Sequence, residues 1–485
     1  MSKIAALLAL GYLLIALIIV GPVCAAGNAS SYVPPAKLSV ADAVAAALGE
    51  NSDLKQAEEN RLSAQSRLRI AAFNTTFGAG ASVETKSTVS STNSPEPPGG
   101  GTVSKARSTT NSAKVTSSLT YQGLGGTEAT VNLSPFGVGG FDSSLELKLQ
   151  TPLMRGRGRL SGKSNLLLGA RSDASVQEKQ LYLTRQTTIV GVIRAYYQAV
   201  LEREKVKVQE KAVTIAQEVA DGTRKRADAG LVAEIEVSRA DLRVASVKDA
   251  LNLQNQASRA AADQLMLAIG AGVGHDSELT DGVPSGHADA PTLVDAMKTA
   301  LVNRYELGIS DEQLSEKARE LAIAGDKLRP ELNAVAGFSS SSDGLEAGLG
   351  QGDTSVGLEM VFPIDKRIDK EQRDTTSREL DVLRRVRTFT MEQIAQQVRQ
   401  AYWSLDAARA SLDILSQNSK VAEQSLSLAQ RMVDEGLVSN RETLDAQDAL
   451  TGVESGLLSA KTNVFLADIN LKYAMGEDLT TVVSK

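Results

Sequence analysis

The segment Arg157-Gly158-Arg159-Leu160-Ser161-Gly162-Lys163-Ser164 comes nearest to a chemical signature in this chain. Its last three residues fit the Gly-Lys-Ser end of a phosphate-cradling loop. The leading Gly such a loop needs is replaced by Arg157, and Gly156 and Gly158 are each one place off. With Arg155, Arg159 and Lys163, the segment reads instead as interfacial charge of a kind suited to lipid phosphates. His275 and His287 fall in a polar, Gly/Pro-bearing stretch and read as solvated side chains. They are the only two histidines, and Cys24 is the only cysteine, too few for a Cys/His metal cage or a thiol redox pair. No Ser/His/Asp or paired-carboxylate arrangement has supporting context. The chain is therefore expected to be no enzyme and to hold no cofactor or metal. A net charge of −6 makes nucleic acid an unsuitable partner.

With little chemistry on offer, the organisation of the chain carries the argument. Its 485 residues are 42% apolar, 23% charged and only 4% aromatic, a globular composition short of the aromatics that fill large enzyme cores. Lys3 followed by the apolar run 4–20, a Gly21-Pro22 break and the small residues Ala25 and Ala26 reads as a secretory signal peptide cleaved at those alanines. The alternatives are an uncleaved anchor or a lipoprotein acylated at Cys24, although Gly21 and Val23 fit the lipoprotein pattern poorly. No later apolar run reaches spanning length, so any membrane crossing by the mature chain must use strands.

The chain repeats itself. Asp42-Ala43, Ala47-Leu48, Leu54 and Leu68 fall on Asp295-Ala296, Ala300-Leu301, Leu307 and Leu321 at one constant offset. A second gapless alignment places Ala195-Tyr196-Tyr197 on Ala401-Tyr402-Trp403, Gly230-Leu231-Val232 on Gly436-Leu437-Val438, and Gly270 on Gly476. The boundaries that follow are a signal peptide over 1–26, a linker over 27–37, repeat 1 over 38–270, a linker over 271–290, repeat 2 over 291–477 and a tail over 478–485. The first repeat is longer by a Ser/Thr-rich stretch with a Pro-Glu-Pro-Pro-Gly-Gly-Gly core, and 84–113 reads as a long exposed loop.

Each repeat has the order short helix, strands, long helix, short helix. The short helices are expected over 38–75, 231–269, 292–328 and 440–475, and the long ones over 164–229 and 374–435. At 1.5 Å per residue these are roughly 57 Å and 95 Å long. Val192, Ala199, Val206, Val213 and Ala220 repeat every seven residues, as do Val398, Leu405, Leu412, Leu426 and Val433, with Ser419 the polar exception. Such a seam suits a coiled coil or a tightly packed helical bundle. Leu145, Leu147 and Leu149 alternate with polar residues, and Val356, Leu358, Met360 and Phe362 and the stretch from Phe77 to Val83 alternate likewise. These are half-buried strands, with two further candidates over 115–121 and 129–133. Four strands cannot close a barrel alone, but several chains contributing four each could.

These features together resemble the TolC-like outer-membrane efflux protein family, over nearly the whole chain from Leu38 to about Gly476. The resemblance rests on Leu38-Ser39-Val40-Ala41-Asp42-Ala43 opening the first helix and on Gln150-Thr151-Pro152-Leu153-Met154-Arg155-Gly156 at the strand-to-helix join. It rests equally on the Ala-Tyr-Tyr/Trp and Gly-Leu-Val motifs occurring in duplicate. It implies an α+β fold in which a long α-helical coiled-coil barrel joins a transmembrane β-barrel shared between three chains. Each chain would bring an internal two-fold repeat and four strands to a twelve-stranded barrel. The implied function is a passive exit duct of a tripartite efflux system, set in outer-membrane lipid, with its helices in the periplasm. Its implied partners are two further copies, a periplasmic adaptor protein and an inner-membrane transporter. A type I protein secretion channel would look the same in sequence. A periplasmic coiled-coil adaptor, from a different class, would carry one helical hairpin between two β halves. The family's tip turns correspond to Gly230 and Gly436, and its entrance ring of acids to Glu442, Asp445 and Glu236. Acids also begin helices simply because helix N-termini favour negative charge. Val433 and Val438 stand where the family often has a closing Tyr and Arg.

Overall fold

A computed structural model of the chain describes residues 35–73, 77–93, 105–138, 142–272, 274, 277–285, 291–343, 352–362, 364–435, 437–438 and 440–480. The expected cleavage site at Ala25 and Ala26, with Cys24, both histidines and the tip turn at Gly436 lie outside the described residues.

The elements run in two similar passes. The first comprises strand β1 (Lys37–Leu38), helices α1 (Val40–Glu50) and α2 (Ser52–Phe73), strands β2 (Phe77–Asn93), β3 (Lys105–Gln122), β4 (Glu128–Val138) and β5 (Asp142–Pro152), and helices α3 (Gly162–Asp228) and α4 (Glu234–Ile269). The second comprises β6 (Glu278–Leu279), α5 (Leu293–Asn303), α6 (Tyr305–Asp326), β7 (Glu331–Asp343), β8 (Gly352–Val361), α7 (Arg367–Asp434) and α8 (Asn440–Ala474). Helix lengths repeat almost residue for residue: 11 and 22 for α1 and α2 as for α5 and α6, 67 against 68 for α3 and α7, and 36 against 35 for α4 and α8.

Matching caps start the two passes. Ser39 accepts from the Asp42 amide at 3.2 Å, and Thr292 accepts from the Asp295 amide at 3.3 Å, so each satisfies an orphan donor of the first turn. The single helices expected over 38–75 and 292–328 are each broken in two, at Asn51 and Arg304, which have extended ψ values of 129° and 116°. The cause is a close tertiary approach. Gly270 and Gly476 end α4 and α8 in the left-handed region, with φ of 88° and 74°. A Cβ on Gly270 would lie 2.8 Å from the Glu50 carbonyl oxygen, and one on Gly476 would lie 3.1 Å from the Asn303 backbone. Asn51 Nδ2 donates to the Ala268 carbonyl at 3.2 Å, and the Arg304 guanidinium donates to the Tyr473 carbonyl at 3.3 Å.

The chain divides into two compact units. One comprises the described parts of Met1–Asn51 and Val192–Gly282. Here β1 and β6 pair in parallel, Leu38 opposite Leu279, so the expected linker over 271–290 contains a strand. The Tyr196 hydroxyl donates to the Leu38 carbonyl at 2.9 Å and accepts from the Asp281 amide at 3.3 Å, with its ring fully buried. Ala212, Ala216 and Val247 pack together in the same unit.

The other unit, Ser52–Gly191 with the described parts of Val283–Lys485, contains the sheet and the α7–α8 pair. Ile394, Val398 and Leu405 of α7 form one core cluster with Val464 and Leu471 of α8. The heptad seam faces inward as read, and even its polar member Ser419 is buried.

The sheet has six strands in the order β2-β3-β4-β5-β7-β8, each antiparallel to its neighbours. The sheet thus corrects the four strands that the resemblance implies, while the two further candidates over 115–121 and 129–133 lie in β3 and β4. It also corrects the exposed loop over 84–113 in its described parts, where Glu84 pairs with Lys114 and the ladder continues to Asn93 opposite Lys105, while 94–104 lie outside the described residues. Ladder bonds are made by backbone groups, and the Thr and Val content favours extended chain even without apolar alternation.

Candidate functional site: a two-faced sheet, a basic join and acidic helix starts

Register sorts the sheet's residues into two faces, because residues directly opposite one another share a side. One row crosses five strands as Tyr121, Ala129, Leu149, Ala336 and Val356. The next row reads Thr120, Thr130, Lys148, Gly337 and Ser355. One face is thus apolar and the other small or polar. The apolar side is open: Leu119, Leu133, Leu147, Leu149, Val356 and Leu358 are all exposed, Val356 at 83%. An apolar surface of this extent marks contact with lipid or another chain, and one apolar and one polar face is the pattern of a transmembrane barrel wall. Among the described residues no helix is long and apolar enough to cross a membrane.

The near-phosphate loop forms the strand-to-helix join after β5. Several of its backbone donors are already committed. The Gly156 amide donates to Asp326 Oδ2 at 2.7 Å, and the Gly158 amide to the Gly125 carbonyl at 3.0 Å. Ser161 caps α3 by accepting from the Ser164 amide at 3.2 Å. Gly126 supplies the close approach here, since a Cβ on it would lie 2.6 Å from the Gly156 carbonyl oxygen. No group of acids, His or Cys among the described residues is arranged to hold a metal ion.

The acids singled out in sequence all begin helices. Glu442 lies in the first turn of α8, and Asp445 lies one turn further on. Both are exposed. Asp445 pairs with Arg441 at 3.6 Å, whereas Glu442 has no partner among the described residues. Glu236, in the other unit, occupies the first turn of α4 and pairs with Arg239 at 2.6 Å. Gly230 takes a left-handed φ of 72° at the preceding turn, with open space where a Cβ would stand. Val433 is buried, completing the seam of α7.

Two titratable groups hold the helices together. Burial pushes the Tyr196 hydroxyl up to about 12, against the lowering pull of the Asp281 amide. Burial alone would raise the Glu312 carboxyl, but Lys179, Ser175 and Ser172 donate to it and together hold it below its ordinary value. Sequence reading singled out neither Glu312 nor the apolar face of β7. The only available signal in β7 was the spacing of Leu332, Ala334, Ala336 and Phe338 among other small residues.

Long paired helices in tandem duplicate, with an antiparallel sheet whose apolar face is open, are the parts from which a channel-tunnel is built. The model of the family described as outer membrane efflux protein matches residues 147–271 and 296–477, and the chain belongs to that family. It is accordingly an efflux protein of the cell outer membrane, with its helical part in the periplasm. It is 25% identical over 330 residues to the outer membrane efflux protein BepC of Brucella suis biovar 1 (strain 1330), covering 64% of this chain and 68% of BepC. The fold is similar to that of the outer membrane protein VceC of Vibrio cholerae, with a TM-score of 0.67 at 16% identity over 90% of this chain and 96% of VceC. It is also similar to the open state of the Neisseria gonorrhoeae MtrE outer membrane channel, with a TM-score of 0.68 at 15% identity, over 90% and 89% of the two chains.

Proposed function

We propose that this chain is the passive exit duct of a tripartite efflux system. Three copies pool their sheets into one barrel in the outer membrane and their helices into one periplasmic tunnel. A periplasmic adaptor protein and an inner-membrane transporter complete the system, and the transporter supplies the energy. The observation that carries this reading is the apolar row from Tyr121 to Val356 across five strands, which gives an open sheet a continuous lipid-compatible side. Such a sheet is viable in lipid only if its edges are closed.

Glu442, Asp445 and Glu236 ring the periplasmic entrance, next to the turns at Gly230 and Gly436. A narrow aqueous mouth with low-dielectric walls focuses their field, drawing cations and repelling anions. Arg441 and Arg239 offset part of the charge of Asp445 and Glu236, so Glu442 contributes most. The test is ion selectivity of purified trimers in planar bilayers under a salt gradient. E442Q should move the reversal potential furthest toward zero, D445N and E236Q less, and the triple variant most. A triple variant with wild-type reversal potential would remove the ring.

A further inference from the structure

We propose that the join between β5 and α3 is a docking surface for anionic phospholipid in the periplasm-facing leaflet of the outer membrane. The placement rests on the exit-duct reading above, in which the sheet lies in the membrane and the helices lie beyond it. The charge that selects the lipid belongs to the join itself. From Leu153 to Lys163 the chain carries Arg155, Arg157, Arg159 and Lys163 and no acid, in a protein whose net charge is −6. Arg157 and Arg159 are exposed, and Arg155 and Lys163 are half-buried. The side chains of all four lack a hydrogen-bond or ion-pair partner among the described residues. The end of α6 adds to the same patch. Asp326 ties it to the join by accepting from the Gly156 amide at 2.7 Å, and the exposed, equally unpaired Lys327 follows directly. Asp326 itself is buried and pairs with Arg329 at 3.5 Å, so its charge is already matched.

Several cations on the helices nearby are matched: Arg67 pairs with Asp173 at 2.7 Å, Lys179 with Glu312 at 3.1 Å, and Lys317 with Glu320 at 2.6 Å. The corresponding join of the second repeat is balanced, since 365–374 carries four acids and four bases. There Arg367 pairs with Asp365 and Arg373 with Asp374. An anion is therefore the complement that the first join lacks and the second does not. The apolar neighbours decide which anion. Leu153, Met154 and Leu166 are exposed beside the cations, and the exposed Leu149 ends the apolar series of β5 just before them. Cations bordering an apolar band match the edge of a lipid monolayer, where apolar side chains meet the acyl chains and long basic ones reach the phosphates. A soluble phosphate gains nothing from exposed leucines, and the Gly156 and Gly158 amides that could cradle it are committed. Near an anionic lipid surface each Lys or Arg contributes about fivefold in affinity.

The test is native mass spectrometry of the full-length protein in detergent, titrated with phosphatidylglycerol or with phosphatidylcholine. Wild type should bind phosphatidylglycerol the more tightly, and added salt should weaken that preference. R157Q/R159Q should bind phosphatidylglycerol about 25-fold more weakly, with phosphatidylcholine unchanged, while R157K/R159K keeps the wild-type preference. Equal binding of the two lipids by wild type would overturn the site without recourse to any variant. Wild-type affinity in R157Q/R159Q, or equal losses in the Gln and Lys variants, would overturn the charge argument. Complete displacement of phosphatidylglycerol by inorganic phosphate would assign the cluster to a soluble anion instead. Planar-bilayer conductance of the same preparation separates this failure from that of the exit duct. Protein that conducts without preferring phosphatidylglycerol overturns the lipid site alone, whereas protein that neither conducts nor binds lipid overturns both.

Discussion

Replacing Tyr196 with Phe removes one oxygen from a fully buried site and leaves the ring in place. That oxygen bridges two partners of unequal resilience. The Leu38 carbonyl also accepts from the Thr280 amide at 3.1 Å, so it stays satisfied when the hydroxyl goes. The Asp281 amide, which donates to the hydroxyl at 3.3 Å, loses its acceptor. The loss is one ordinary hydrogen bond plus part of the penalty for a stranded, half-buried donor, about 2 kcal/mol together. The Asp281 carboxylate accepts from the Val40 amide at 2.8 Å, so loosening Asp281 also frees the start of α1. Local opening should therefore rise roughly 30-fold, since each 1.4 kcal/mol is tenfold. Hydrogen exchange read by mass spectrometry on assembled protein measures this directly. Peptides covering 278–282 and 37–44 of Y196F should exchange roughly 30-fold faster than wild type, with those of α8 unchanged. Because burial pushes the hydroxyl from 10 up to about 12, its neutral form is complete at neutral pH, and the tie is lost only as pH rises through about 12. Unchanged exchange at 278–282 would refute the bridge. Uniform acceleration along the whole chain would refute its local character.

The remaining predictions follow from single contacts. G270A should lower the melting temperature more than G230A: both carry the cost of a left-handed alanine, about 1–2 kcal/mol, but only at Gly270 does the new Cβ meet a backbone oxygen at 2.8 Å. Equal melting temperatures by circular dichroism would contradict the close approach. Glu312, held below its ordinary value by its donors, contributes stability that is present above about pH 4.5 and is lost as pH falls below it. Wild type should thus lose thermal stability relative to E312Q on acidification from neutral pH, and parallel curves for the two proteins would exclude the tie between Lys179 and Glu312.

What could be read from the sequence depended on whether the cause was local. The duplication was legible because helices tolerate no gaps, so Ala195-Tyr196-Tyr197 and Ala401-Tyr402-Trp403 stayed in step. The seam through Val398 and Leu405 was legible because a buried helix stripe repeats every seven residues. Strand β5 was legible because Leu145, Leu147 and Leu149 contrast with Glu146 and Lys148. Strand β7 lacks that contrast, since Ala334, Val335, Ala336 and Gly337 are all small. The outer parts of β2 and β3 carry no alternation, so only the backbone ladder from Glu84 to Asn93 reveals them. The breaks at Asn51 and Arg304 have no local Gly or Pro to announce them; they answer to Gly270 and Gly476, distant in sequence. The acidic helix starts were legible as positions, whereas their grouping depends on other copies of the chain.

The two repeats also divide the labour of one motif. Tyr196 is sealed and bonded to backbone at β1 and beside β6, locking the start of the first repeat to the segment that leads into the second. Its counterpart Tyr402 is only partly buried and packs against the cluster containing Val398 and Leu405. The same sequence signal therefore serves as a polar latch in one repeat and as packing in the other. Duplication supplied two copies of the wall, and divergence left room for β1 and β6 to pin the junction between them. That arrangement makes a specific demand on any shortened version of the chain. A single repeat cut before β6 would keep its long helices and their seam but lose the acceptor strand for β1, the Asp281 partner of Tyr196 and the anchor of Val40. Its first failure should be at α1, before the α3–α4 packing of Ala212, Ala216 and Val247 is disturbed.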